Sequence, residues 1–157
     1  MDREPITSLG AKKLQDELKK CMELRPQIID AIATARDFGD ISENAEYHAA
    51  REQQSHVEGR ILELNSRIAT MEVIDLDSIV PNAVRFGTMV KVIDLETDEE
   101  TTYTIASDIE SNPSEGWISY KCPLGQSLIG KKIGDIADFE HADSYKEFEV
   151  ISISKVV

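Results

Sequence analysis

The sequence predicts an α+β chain: an N-terminal antiparallel α-helical coiled-coil hairpin followed by a small β-sheet domain. Three observations predict it. Composition changes character near residue 73, from Glu, Lys, Arg, Gln, Ala and Leu to β-branched residues and turn formers. Two heptad seams precede that change. Their positions mirror each other about residue 41, beside a glycine suited to a reversal.

The helical arms come first. From Ser8 to Glu72 there are three glycines (Gly10, Gly39, Gly59) and one proline (Pro26), which is helix composition. Residues 11, 14, 18, 21, 25, 28, 32 and 35 are Ala, Leu, Leu, Cys, Arg, Ile, Ile and Ala. Residues 47, 50, 54, 57, 61, 64, 68 and 71 are Tyr, Ala, Gln, Val, Ile, Leu, Ile and Met. Both runs alternate steps of three and four, the spacing of a coiled-coil seam, and only Arg25 and Gln54 are polar. Paired antiparallel, every couple from 35 with 47 to 11 with 71 has numbers totalling 82, so one fold point levels all of them. Each arm would span about 40 Å at about 1.5 Å per residue. A C-terminal domain with a radius of gyration near ~12 Å could not cover it, so the hairpin is expected to project. Pro26 is expected to kink the first arm.

At the reversal, Gly39 suits a left-handed helix stop. Asp40 followed by Glu43 reads as a capping-box-like start for the second arm. Beyond the arms, the runs 87–95, 101–105, 116–120 and 148–153 read as strands bounded by Asp, Asn, Pro and Gly. Pro81 and Asn82 lie in the connection, and the boundary is placed near residue 77, giving domains 1–77 and 78–157.

Charge and cysteine usage exclude whole classes of function. The 157 residues carry 30 acidic and 17 basic side chains, a net charge of −13, and both halves are acidic. That balance argues against a protein coating duplex DNA or an anionic membrane, since those surfaces reward clustered Lys and Arg. Cys21 and Cys122 match no ligand spacing and do not make a disulfide scaffold, so a reducing, cytoplasmic compartment is expected. The first five residues lack the form of a signal peptide, and no apolar run approaches ~18 residues. Mean hydropathy of −0.30 is that of a soluble folded chain.

The tip concentrates chemistry. Asp37, Asp40, Glu43 and Glu46 fall within ten residues. Capping and complementing the helix dipole is the plainer account of such acids. It does not explain why the end of a long projecting hairpin is so acidic. Carboxylates are hard oxygen ligands, and Mg²⁺ is commonly held by one or two of them together with substrate phosphates. Two on a tip suit delivery into another macromolecule's two-metal phosphoryl-transfer centre.

The segment ARDFGDISENAEYHAARE, residues 35–52, resembles the signature of the Gre family of bacterial transcript cleavage factors, on its less basic side. Pro5-Ile6-Thr7 with Gly10, Ile74-Asp75, Gly87-Thr88 and SLIGKKIGD at 127–135 extend the similarity along the chain. The resemblance implies an FKBP-like C-terminal domain with a short helix, and RNA polymerase as partner. The C-terminal domain would dock at the rim of the polymerase's secondary channel while the hairpin threads inward. Asp40 and Glu43 would then act in trans, helping the polymerase hold a second Mg²⁺ for cleavage of nascent, backtracked RNA. Neither metal nor small-molecule ligand is expected on the chain alone, and no membrane partner. Arg36 and Arg51 become RNA-contact candidates about 8 Å apart along the axis. Gly39, Ser42, Asn44 and Tyr47 become supports of the tip. The segment 140–146 departs from the family pattern by lacking a glycine in its turn, and the stretch before Pro26 is a residue short.

Other residues read as structural. His48 and Glu52 form an exposed helix neighbour pair. Trp117 and Tyr120 suit sheet packing. Leu128 and Ile129 suit the core, with a docking patch as the alternative. The competing functions are an inhibitory channel-binding relative, a purely structural coiled coil, and prolyl isomerisation by fold analogy alone.

Overall fold

The structure is a computed structural model, which describes residues 3–39 and 44–156. The chain divides into two compact units, one built on Ala11–Met71 and the other on Glu4–Gly10 with Glu72–Val157.

The first unit is the helical hairpin. Helix α1 runs Ser8–Arg36 and α2 runs Ala45–Thr70. All sixteen positions of the two seams are buried or half-buried, with Leu14, Ile28, Ile61 and Leu64 nearly sealed from solvent. Ile28, Ile32 and Ala50 form one cluster, flanked by Tyr47 and Val57. This is the antiparallel pairing that the mirrored spacing requires. The polar seam residue Arg25 reaches sideways, where its Nε and Nη2 donate to the Glu58 carboxylate at 2.7 and 2.8 Å. Arg60 makes the same two-pronged contact with Glu17 at 2.6 and 2.9 Å, and adds Glu63 at 2.9 Å. Planar guanidinium forks match carboxylates in this way, so each pair favours one stagger of the arms. Glu17 and Glu58 are both held below the usual carboxylate range, chiefly by the hydrogen bonds from Arg60 and Arg25 respectively. Helix α1 continues through Pro26, which sits on its exposed side.

In the second unit, β1 (Glu4–Ile6) pairs with β2 (Met71–Val73) in a two-stranded sheet. The Thr7 hydroxyl accepts from Gly10 N–H at 3.1 Å, capping the start of α1, and donates to the Glu110 carboxylate, which also accepts from Ser107 at 3.0 Å. Nothing in the local sequence of residues 4–10 signals that these contacts tie them to a segment a hundred residues onward.

The main sheet has strands β3 (Thr88–Asp94), β4 (Glu100–Ala106), β5 (Trp117–Ser119), β6 (Ile136–His141) and β7 (Ser144–Lys155). Their spatial order is β5-β4-β3-β7-β6, antiparallel throughout except for the parallel pair β4–β5. The short helix α3 (Pro123–Leu128) packs on β5 and β6. Strand β3 alternates strictly, burying Thr88, Val90, Val92 and Asp94 on one face. Val90 and Val92 join Val84, Ile105, Leu128, Phe148 and Val150 in the core. Leu128 is thus core, while Ile129 is exposed.

The four expected strands are present. Strand β6 escaped the sequence reading because Asp138, Glu140 and His141 interrupt its apolar residues. Where a turn glycine was missing, β6 and β7 are joined by Ala142 and Asp143, and Ala142 takes φ +54°. Among the described residues, no helix is long and apolar enough to cross a membrane.

Candidate functional site

The hairpin tip is built by the end of α1 and the start of α2. Helix α1 closes with Asp37 N–H donating to the Ala33 and Thr34 carbonyls, and Phe38 N–H to Ala35. Gly39 follows at φ +115°, in the positive region where side-chain-bearing residues are strained. The expectation of a glycine stop is met here, at a wider φ than the ~+57° of the ideal left-handed conformation. Asp40, Ser42 and Glu43 lie outside the described residues.

The expected capping-box start at Asp40 is corrected by the structure, because α2 begins at Ala45 and its cap is Asn44. Asn44 Oδ1 accepts from Tyr47 N–H at 3.0 Å with the backbone in the extended region, the geometry of an N-cap. Its Nδ2 donates to the Ala35 carbonyl in the last turn of α1, which also accepts from Phe38 N–H. One side chain therefore bonds to both helices and ties their ends together. Of the four tip acids, Glu46 lies in the first turn of α2, where it complements the helix dipole as the plainer account expects.

Tyr47 lies against the seam cluster, with the Arg36 guanidinium 5.8 Å above its ring centroid and the His48 ring edge-on at 5.6 Å. Stacking of this kind restrains a long cation. On α2, Arg51 Nη1 donates to Gln54 Oε1 at 3.3 Å. The structure brings Arg36 and Arg51 to one recess of about 250 Å³, shared with Ile29, Ile32, Ala33 and Gln54. Sequence reasoning singled out both arginines and noticed Gln54 as a polar seam residue. It placed the two arginines near each other along the axis but did not add Gln54 or the apolar lining to them, because the recess needs both helices in register. Phe38 is 74% exposed beside the turn, a large apolar ring that burial does not explain.

Among the described residues no three His, Cys, Asp or Glu side chains gather to hold a metal. Glu52 faces His56 Nε2 at 3.9 Å, an exposed i,i+4 neighbour pair. Cys21 and Cys122 are free thiols, and Cys122 Sγ caps α3 by accepting from Gly125 N–H at 3.2 Å.

Comparison with known families decides what this hairpin belongs to. A model described as transcription elongation factor, N-terminal, matches residues 4–73, and one described as transcription elongation factor, GreA/GreB, C-term, matches residues 79–155. The chain belongs to the GreA/GreB family of transcription elongation factors. It is 46% identical over 154 residues to transcription elongation factor GreA of Sinorhizobium medicae, covering 98% of both chains. It is equally 46% identical over 155 residues to its Rhizobium etli counterpart, again covering 98% of each. Among solved structures it is similar to GreA factor homolog 1 of Thermus thermophilus, at 20% identity and a TM-score of 0.45, covering 96% of this chain and 98% of that one. As a GreA/GreB-family member the chain is an accessory factor and not itself an enzyme.

Proposed function

We propose that this chain binds RNA polymerase, carries its hairpin tip into the secondary channel, and stimulates the polymerase's own Mg²⁺-dependent cleavage of backtracked RNA. The observation that carries the proposal is the tip itself. Asn44 caps α2 and Gly39 follows the end of α1, and Asp40 and Glu43, which lie between them in the sequence, are assigned to metal binding in trans. Family membership over nearly the whole chain supports the same reading.

Two carboxylates fit Mg²⁺ as a partial set of hard oxygen ligands, with the remainder coming from the polymerase and the RNA phosphate. Asp40 and Glu43 would hold the ion only in that complex. When bound there, it supplies the Lewis acidity for hydrolysis of the phosphodiester. The chain's contribution is to deliver the two carboxylates on a stiff support. Tyr47, through its ring, holds Arg36 beside the tip, where Arg36 and Arg51 would meet the extruded RNA. A working division at residue 77 assigns this task to residues 1–77. Residues 78–157, which we read as an FKBP-like domain from the sheet carrying one short helix, would dock at the channel rim.

The test uses arrested elongation complexes supplied with Mg²⁺. Asp40→Asn and Glu43→Gln should each lower stimulated RNA cleavage by about 10-fold or more, the scale seen when a metal's supporting partner is removed. Binding to polymerase should be unchanged. Cleavage that survives both substitutions would sink the proposal. Wild-type protein that binds but never stimulates would instead favour an inhibitory relative.

A further inference from the structure

We infer that the open edge of β6 is a docking site for an extended, cationic segment of a partner protein, which adds a strand to the sheet and sets Lys or Arg opposite Asp138 and Glu140. The site lies in the second unit and draws on no residue of the hairpin tip. In the order β5-β4-β3-β7-β6 this strand is the last member, and among the described residues it pairs with β7 alone. An edge strand presents a row of backbone N–H and C=O groups without a ladder partner. Here the edge is Ile136–His141, six residues long, against the three of β5 at the opposite side of the sheet. The register decides which groups face outward. The two-residue turn sets His141 opposite Ser144, the pair whose backbones such a turn bonds together. Bonded and non-bonded pairs alternate from there, so Asp138 and Glu140 turn their backbone groups away from β7.

The side chains select the occupant. Asp138 and Glu140 are exposed on one face of the sheet, while Ala137 is buried and Phe139 packs against the core on the other. Strand β7 continues the acidic face. The Tyr145 hydroxyl donates to Asp138 Oδ1 at 3.1 Å and is shared with Glu147 Oε1 at 3.2 Å, and Glu149 follows two residues on, opposite Ile136. Among the described residues none of these four carboxylates has a Lys or Arg partner, although Lys91, Lys121 and Lys146 each pair with a carboxylate elsewhere. A β6 strand from a second copy would bring the same acids against them, and like charges directly opposite are destabilising. A cationic strand instead sets opposite charges across the pair and bonds the open N–H and C=O groups, as strand addition to a sheet edge requires. Its intervening side chain falls beside Phe139, so the segment alternates basic, apolar, basic.

The test is a titration of the full chain, followed by amide NMR, with the peptide N-acetyl-Thr-Lys-Val-Arg-Thr-amide as probe. One control is the same peptide N-methylated at its Lys and Arg amides, which keeps the charge and removes the donors. A second control replaces Lys and Arg with Glu. The probe should shift the backbone amides of Asp138 and Glu140 and slow their hydrogen exchange, and both controls should bind at least about 3-fold more weakly. The double variant Asp138→Asn, Glu140→Gln should weaken the probe by about 3-fold or more, the scale of two cross-strand charge pairs, with circular dichroism unchanged. Equal binding of the methylated peptide would leave only a charge patch, and equal binding of the acidic one would leave no charge selection. Protection of the two amides that grows with protein concentration in the absence of peptide would give the edge to a second copy. No shifts along β6 would remove the site; each of these four results overturns the inference. Because no polymerase is present, the readout is independent of whether Asp40 and Glu43 support cleavage.

Discussion

Replacing Asn44 tests how the tip is closed. Its side chain makes two hydrogen bonds of different kinds, to Tyr47 N–H as acceptor and to the Ala35 carbonyl as donor. Losing an N-cap side chain costs about 1 kcal/mol. Losing the second bond costs about 1 kcal/mol net, so Asn44→Ala should destabilise the hairpin by about 2 kcal/mol. Asn44→Asp keeps the acceptor and loses only the donor. Its negative charge favours the start of α2 and opposes the end of α1, so those two effects largely offset. The expected order is wild type, then Asn44→Asp, then Asn44→Ala. Urea unfolding measures it, with circular dichroism at 222 nm following the helices and the single tryptophan, Trp117 in β5, following the second unit. With slopes of about 1–3 kcal/mol per molar urea, the helical midpoint of Asn44→Ala should fall by about 1 M. A fall below about 0.2 M, or Asn44→Asp no better than Asn44→Ala, would refute the double role assigned to this side chain.

Three further outcomes follow from the packing and the charges. Glu17 and Glu58 have folded-state pKa values below the ordinary 4.5. Their contribution is therefore complete above that value and is lost as pH falls through the lowered folded pKa. Helical stability should decline from about pH 5 downward, and the double variant Glu17→Gln, Glu58→Gln should flatten the decline; parallel curves would count against it. Gly125→Ala places a Cβ 2.2 Å from the Ser119 carbonyl oxygen, with backbone on both sides of the clash. It should cost the second unit about 3 kcal/mol or more by Trp117 fluorescence, and a neutral result would show that α3 shifts freely. Ala142→Gly relieves a side chain held at φ +54° and should stabilise the same unit by about 0.5–1 kcal/mol. A neutral or lower thermal midpoint would mean the turn does not hold that conformation.

The seams were legible because a coiled coil writes its contacts into a local period. Steps of three and four between Ala11 and Ala35, and between Tyr47 and Met71, are visible without knowing what they meet. Burial at all sixteen positions follows from that period alone. Strand β3 was legible as a run of apolar and β-branched residues between turn formers, although which of its faces is the more deeply buried was not. Strand β6 was not, since charged residues along it carry no period a short window can detect. The cap of α2 was misplaced because Asp40 and Asn44 are both good N-cap residues four positions apart. Local propensity ranks them alike. What separates them is the Ala35 carbonyl, which only the folded hairpin brings within reach of Asn44.

The sequence by itself determined the two-part composition, the antiparallel seam with its fold point, the acidity of the tip and the family resemblance. All of these are properties of residue type and spacing along one chain. The tertiary structure decided which side chains cooperate across chain distance. It joined Thr7 to Glu110, Arg25 to Glu58 and Arg60 to Glu17, and it set Arg36 and Arg51 around one apolar recess with Gln54. The reason is physical. A period fixes which face of a helix is dry, but a recess or an ion pair depends on the stagger and rotamers of two faces together, settled only when both are packed.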